Sequence, residues 1–427
     1  MNRIIEKNRV LKTLLATQGV SLIGSKMTGT AIGIWLFQTT GKATYLLLIP
    51  FFNEIPALLT GHLVGVLIDK WESKRSMILG DTGQAIGTVI LLISILKFGL
   101  LPSVLYLVVS IQGIFSAMQS TAADVAVSGL IVDSQRDRVN GIKEMLFPVA
   151  SFLGPVMTAV LYPLVHLEGI IVVDLLSFFV AVIAVWHLEL PKMPAEESEG
   201  SIAFNEALRA ALGYLKSNPG LLIFLIYIGF TNFMLNGPLE LVIPYLMSLG
   251  ASETQVSVIM SLMGVATFTG AVVVSIKKWR FSRQTVVLLL MMGSGVMMVG
   301  FGVSRELSLL GVFIFFTMLP LPMVSALLKS TLQATVPPRL QGRVFSIAYQ
   351  IAYGTAPISF VLVGPLVDNW LEPAMKNGKF SLANQIFGSG RGSGMGLLIS
   401  ASGALILLAS LWMIVVGKNT FKAALKK

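Results

Sequence analysis

The stretch GVLIDKWESKRSM, residues 65–77, crowds Asp69, Lys70, Glu72, Lys74 and Arg75 into a short burst between two long, oily runs. A burst of mixed charge between apolar segments reads as a short loop between two membrane helices. The rest of the chain agrees. It has 427 residues, 55% hydrophobic and 12% charged, with mean hydropathy +0.81. A soluble domain carries about 25% charged residues, so the bilayer is the natural solvent for this chain.

A membrane-spanning helix needs about 20 mostly apolar residues. Twelve segments meet that requirement, at roughly 13–37, 43–68, 77–97, 102–130, 141–165, 168–190, 219–246, 254–276, 284–303, 308–335, 342–368 and 394–417. The first contains Lys26 and is too long for the apolar core of a signal peptide. The expected fold class is an all-α membrane protein, with twelve transmembrane helices in two pseudo-symmetric six-helix bundles. Expected boundaries are 1–190 for the first bundle, 191–218 for a cytoplasmic linker and 219–427 for the second bundle. Within the linker, residues 202–216 carry an amphipathic pattern (Ile202, Leu208, Leu212, Leu215).

Lys and Arg placement sets orientation. With the N-terminus inside, Lys42, Lys97, Arg305, Lys376, Lys379 and Arg391 fall in outer loops and Lys26 and Lys329 within spans. The remaining Lys and Arg are cytoplasmic. The formal net charge of +10 is therefore mostly an inner-leaflet charge, and a nucleic-acid partner is not needed to explain it. A multi-pass membrane protein is expected, monomeric and with both termini on the cytoplasmic side. Cysteine is absent and the three histidines lie far apart, so no disulfide, thiol nucleophile or metal site is expected. No cofactor and no enzyme activity are expected either.

The opening stretch also has a weak copy. IDKWESKRSM (68–77) aligns with IKKWRFSRQT (276–285), sharing Ile68/Ile276, Lys70/Lys278 and Trp71/Trp279. DRVNG (137–141) aligns with GRVFS (342–346) at nearly the same offset. The first match lies between the second and third helices of each half and the second opens the fifth, as expected of a parallel repeat.

These motifs resemble those of the major facilitator superfamily. Gly65, Leu67, Asp69, Lys70, Lys74 and Arg75 match its Gly-x-Leu-x-Asp-Arg/Lys loop with a following basic cluster; Glu72 and Ser73 depart from its commonest form. The fuller pattern, with Gly80-Asp81 after the loop, is similar to the drug:proton antiporter branch that includes macrolide-efflux-like and enterobactin-exporter-like proteins. Similar stretches are GSKMTGTAIGIWLFQTTG (24–41), VVDLLSFFVA (172–181), VPPRLQGRVFS (336–346), VGPLVD (363–368) and FGSGRGSGMGLL (387–398). The helix-5 stretch GPVMTAV (154–160) matches the antiporter signature only in part. The resemblance implies two rocking bundles about a cavity lined by helices 1, 4, 7 and 10. It also implies a cytoplasmic gate built from Gly65, Asp69, Lys70, Lys74, Arg75, Asp81, Arg136, Arg138 and Arg343.

Ionisable residues inside a membrane are expensive and usually face a cavity or a partner. At 1.5 Å rise per residue, Lys26 lies about 21 Å from Lys12, and Glu54 about 22 Å from Asp69. The two share a depth on consecutive helices, as an ion pair or a proton site requires. The repeat offset places Asp124 opposite Lys329 in the other half, so these two make a second candidate pair. The alternative is that both snorkel to the inner rim. Gln112, Gln119, Asn232 and Asn236 are candidates for binding substrate, with helix–helix hydrogen bonding the competing role. The Gly-rich FGSGRGSGMG (387–396) lacks the Gly-Lys-Ser/Thr ending of a phosphate loop. With no nucleotide site, an ion gradient is the expected energy source.

The expected function is a secondary active transporter, exporting a small amphipathic compound in exchange for protons. An importer or a lipid or siderophore carrier fits the same fold. A non-transporting receptor or scaffold is the alternative of another class.

Overall fold

The computed structural model describes the backbone of residues 2–99, 101–130, 136–188, 190, 204–276, 280–337 and 340–424. The side chains of 2–8, 61–70, 136–138, 140, 141, 144, 204–208, 210, 342 and 416–424 are outside the described residues. Helix is the only regular structure among the described residues.

The first helices are α1 (Asn2–Thr40), α2 (Ala43–Trp71), α3 (Ser73–Phe98), α4 (Pro102–Leu130) and α5 (Arg136–His187). Then come α6 (Phe204–Ser217), α7 (Pro219–Glu240), α8 (Val242–Ser248), α9 (Glu253–Ile276), α10 (Arg283–Val303), α11 (Leu307–Met318) and α12 (Pro320–Thr335). The chain closes with α13 (Gln341–Tyr353), α14 (Ala356–Leu366), a π-helical turn (Val367–Leu371), α15 (Glu372–Lys376), α16 (Ser381–Phe387) and α17 (Ser393–Ala424).

Among the described residues, 11 helical stretches are long and apolar enough to cross a membrane. One of them, Met145–His187, has 43 residues. It is broken at His166, whose φ of 53° and ψ of −167° are not helical. Since about 20 residues span a bilayer, this stretch supplies two crossings, and the twelve expected spans are all accounted for. The charged loop at 69–75 is short: only Glu72, with φ 63°, separates α2 from α3.

The chain forms two compact units. The first comprises residues 1–41, 48–197 and 252–264; the second comprises 42–47, 198–251 and 265–427. In the first, α1, α3, α4 and α5 share a core of Leu11, Leu14, Leu15, Met77, Met118, Ala122, Val127, Val139 and Val185. In the second, α6 forms where the amphipathic pattern lies. It buries Ala211 and Leu215, one turn apart, and Tyr214 Oη donates to the Thr335 carbonyl at 2.7 Å. The polar residues 191–203 of the expected linker are outside the described residues.

Candidate functional site

The site grows from one face of α3. Ser73, Ser76, Gly80, Gly83 and Gly87 recur at three- and four-residue spacing and are buried. Small residues at that spacing let membrane helices approach closely, where packing rather than water drives association. At Gly80 a Cβ would stand 2.6 Å from the Cβ of Gln119 and 2.9 Å from the Phe115 carbonyl oxygen. α4 therefore lies directly against α3, and Asp81, about 100° round the helix from Gly80, borders that packed stripe. Asp81 is 1% exposed.

Between α1, α3, α4 and the start of α5 lies a cavity of about 330 Å³. Leu14, Leu15, Leu22, Val127, Leu146 and Phe147 give it apolar walls. Its polar groups are Gln18, Asp81, Gln84, Gln119, Asp124 and Lys143, with the hydroxyls of Ser21, Ser25, Ser116 and Ser120. Gln119 donates to Gln18, and Gln18 lies beside Asp81. Asp81 Oδ2 has no hydrogen-bond partner among the described residues. A buried carboxylate oxygen without a donor is costly, so it marks a place where a proton or a cationic group balances the charge.

The second acid on the wall, Asp124 of α4, is ion-paired with Lys143 of α5. Their side chains are 54% and 32% exposed. The pair is therefore open to exchange: half-exposed ion pairs contribute only about 0–1 kcal/mol. Lys329, the residue set opposite Asp124 by the repeat, is exposed on α12 in the second unit.

Lys26 of α1 is partly buried, and its ammonium lies 4.2 Å from the centroid of the Phe147 ring, a cation–π contact. Gly154 of α5 makes room for it. A Cβ there would stand 3.1 Å from both the carbonyl carbon of Lys26 and the nitrogen of Met27, an overlap of the kind that costs about 1–3 kcal/mol. Thr158, one turn further on, donates to the Met27 carbonyl at 3.3 Å. Glu54 is exposed on α2.

The other polar candidates serve different neighbours. Gln112 Nε2 donates to the Gln84 carbonyl at 3.0 Å and to Thr88 Oγ1 at 3.1 Å, tying α4 to α3. Asn232 donates to the Ala352 carbonyl of α13 at 3.0 Å, and Asn236 to the Asn232 carbonyl at 2.7 Å. Of the four, Gln119 lines the cavity.

Within the gate motif, Lys74 donates to the carbonyls of Trp186 at 2.6 Å and Leu188 at 2.8 Å. A cation on the last carbonyls of a helix complements its dipole. Arg75 is exposed and Arg343 half-buried. The side chains of Gly65, Asp69, Lys70, Arg136 and Arg138 lie outside the described residues. In the Gly-rich segment, Arg305 donates to the Phe387 carbonyl and to Ser393 Oγ. No group of His, Asp or Glu suited to a metal ion occurs among the described residues.

Comparison with known proteins places this arrangement. The family model of the Major Facilitator Superfamily matches residues 14–361. Macrolide efflux protein A of Streptococcus pyogenes is 25% identical over 362 residues, covering 83% of this chain and 89% of that protein. Macrolide efflux protein A of Enterococcus faecalis is 24% identical over 310 residues, covering 71% of this chain and 95% of the relative. Among solved structures, the nucleoside transporter NupG superposes with a TM-score of 0.73 at 14% identity, covering 95% of this chain and 99% of that one. At that identity the likeness speaks for the fold alone.

Proposed function

Because the chain belongs to the major facilitator superfamily, we propose that it is a proton-coupled exporter of a small amphipathic compound. It is a multi-pass membrane transporter of small molecules, not an enzyme. In the proposed arrangement it lies in the bacterial cytoplasmic membrane with both termini inside. Residues 1–190 and 219–427 act as the two rocking bundles, with 191–218 as their linker. Lys26, Glu54, Asp124 and Lys329 are the intramembrane charges of the cycle, and Asp81 joins them.

The observation that carries this reading is the cavity of the first unit. Its apolar walls suit the greasy part of an amphipathic cargo. Its amides and hydroxyls suit the polar part, the division usual in ligand sites. Two acids, Asp81 and Asp124, face one base, Lys143. One carboxylate thus remains to be balanced by either a proton or a cargo cation, and competition between the two for one site is what exchange requires. The name of the Streptococcus pyogenes relative supports the outward direction.

The test is accumulation in cells lacking their own efflux pumps. Expression of this chain is expected to lower the steady-state content of a radiolabelled macrolide or of a lipophilic amine. A protonophore is expected to erase that difference. Equal accumulation with and without the protein, for every compound tried, would remove the efflux reading.

A further inference from the structure

Asp174, on the second crossing of α5, takes no part in the site described above. It is 3% exposed and lies about 20 Å along the helix from His187. Ser25 of α1 has the same depth, about 20 Å from Lys12, and both helices belong to the first compact unit. Asp174 Oδ1 is buried without a hydrogen-bond partner among the described residues, and so is Thr28 Oγ1. Ser25 and Thr28 of α1 and Ser177 of the same crossing are the polar neighbours of Asp174. Ser177 Oγ donates to the Asp174 carbonyl at 2.7 Å. No cation is among these neighbours. Beyond Lys12, the ionisable residue of α1 is Lys26, whose ammonium lies on the Phe147 ring. On α3, Lys74 is held by the Trp186 and Leu188 carbonyls at the far end of the crossing. Arg75 and Lys97 are exposed, which leaves Asp81, another acid. The crossing itself adds Glu168 and His187, about 9 Å and 20 Å along the helix.

An ionised carboxylate in such a place loses its water and gains too few donors. A proton or a metal ion has to balance it, and Gly24 decides between them. A Cβ on Gly24 would stand 2.7 Å from Asp174 Oδ1 and 2.5 Å from Ser177 Oγ. The α1 backbone is thus pressed onto the carboxylate. That leaves room for a hydrogen, whereas a hard cation needs about six oxygens around it. One proton on Asp174 removes the charge and supplies a donor where two buried oxygens lack a partner. Ser25 gives that proton a way out. Its hydroxyl lies beside Asp174 and also lines the cavity that holds Asp81. A hydroxyl can accept one hydrogen bond while donating another. Ser25 can therefore take the Asp174 proton as it passes its own to cavity water, and it ends unchanged.

We propose that Asp174 is a proton-holding site behind the cavity, loaded and emptied through the Ser25 hydroxyl. Asp81 meets cargo at the wall, while Asp174 stores a proton out of the cargo's reach. The role of the stored proton in the cycle rests on the proton-coupled reading; the occupancy of the site does not.

Infrared spectroscopy of the full chain in lipid, without cargo or gradient, reads the site. A neutral carboxylic acid has a C=O stretch distinct from that of a carboxylate. Wild-type protein at neutral pH is expected to show that band. Asp174→Asn is expected to lose the Asp174 component, and Asp174→Glu to shift it. Ser25→Ala is expected to keep the band and to slow its shift in heavy water several-fold. If Asp174→Asn does not fold, Asp174→Glu decides alone. Identical bands in the wild type and the folded Asp174 variants overturn the site. Exchange as fast in Ser25→Ala as in the wild type overturns the route through Ser25. A band abolished by sodium or calcium ions at constant pH overturns the proton in favour of a metal ion. The band is read without transport, so failure of the site leaves cargo-driven proton flux in place. Failure of proton coupling leaves the band in place.

Discussion

Asp81→Asn is expected to cut gradient-driven export by roughly tenfold or more, equivalent to ~1.4 kcal/mol of barrier. The protein should remain folded. Asp81 is almost completely buried on the cavity wall, with Oδ2 lacking a partner among the described residues. Asparagine keeps the size of the side chain and can still meet Gln18, but it can neither take up a proton nor offset a cation. Replacing a buried ionisable group by a neutral one of the same shape is often neutral for stability. The variant should therefore retain the wild-type thermal midpoint in detergent. Energised export in inverted vesicles and downhill cargo movement would be measured side by side. A coupling residue loses the first and keeps some of the second. Full energised export by Asp81→Asn would show that Asp81 is only a packing residue.

Lys143→Glu is the second large effect expected. It replaces the partner of Asp124 with a like charge and puts a third acid on a wall that already holds Asp81. The pair is half-exposed, so breaking it changes stability by only about 0–1 kcal/mol. Transport is expected to fall by roughly tenfold, because the cavity's charge balance is reversed. Combining Lys143→Glu with Asp124→Lys restores the pair in the opposite sense and is expected to recover much of the rate. Initial export rates of the two single variants and the double variant, with thermal midpoints alongside, decide the matter. A single reversal that transports like the wild type would remove the pair from the cycle.

Hydropathy and Lys/Arg placement carry far in this chain, because the bilayer sets both helix length and loop charge. The twelve spans, the break between the fifth and sixth, and the amphipathic α6 all follow from such patterns. Side-chain partners are harder to read, because depth along a helix says nothing about rotation around it. The repeat sets Asp124 opposite Lys329, while the structure pairs Asp124 with Lys143. Lys143 counts as a loop cation in the sequence, yet α5 already begins at Arg136, which puts Lys143 about 10 Å up the helix and within reach of α4. Gln112 and Asn232 are polar at mid-depth, as a binding residue would be, but they spend their donors on neighbouring backbones. Asp81 belongs to the gate motif by sequence and to the cavity wall by structure. The stripe Ser73, Ser76, Gly80, Gly83, Gly87 marks the face of α3 that meets α4, and Asp81 lies about 100° round from it, so sequence spacing alone does not set it on the cavity wall.

Exchange of cargo for protons is tested directly in proteoliposomes. Purified protein would be reconstituted with a pH-sensitive dye inside, and a macrolide added across an imposed proton gradient. Cargo is expected to move against the direction of proton flow, proton flux to begin on cargo addition, and both to be lost in Asp81→Asn. Cargo transport that proceeds at the same rate with the proton gradient collapsed would contradict it.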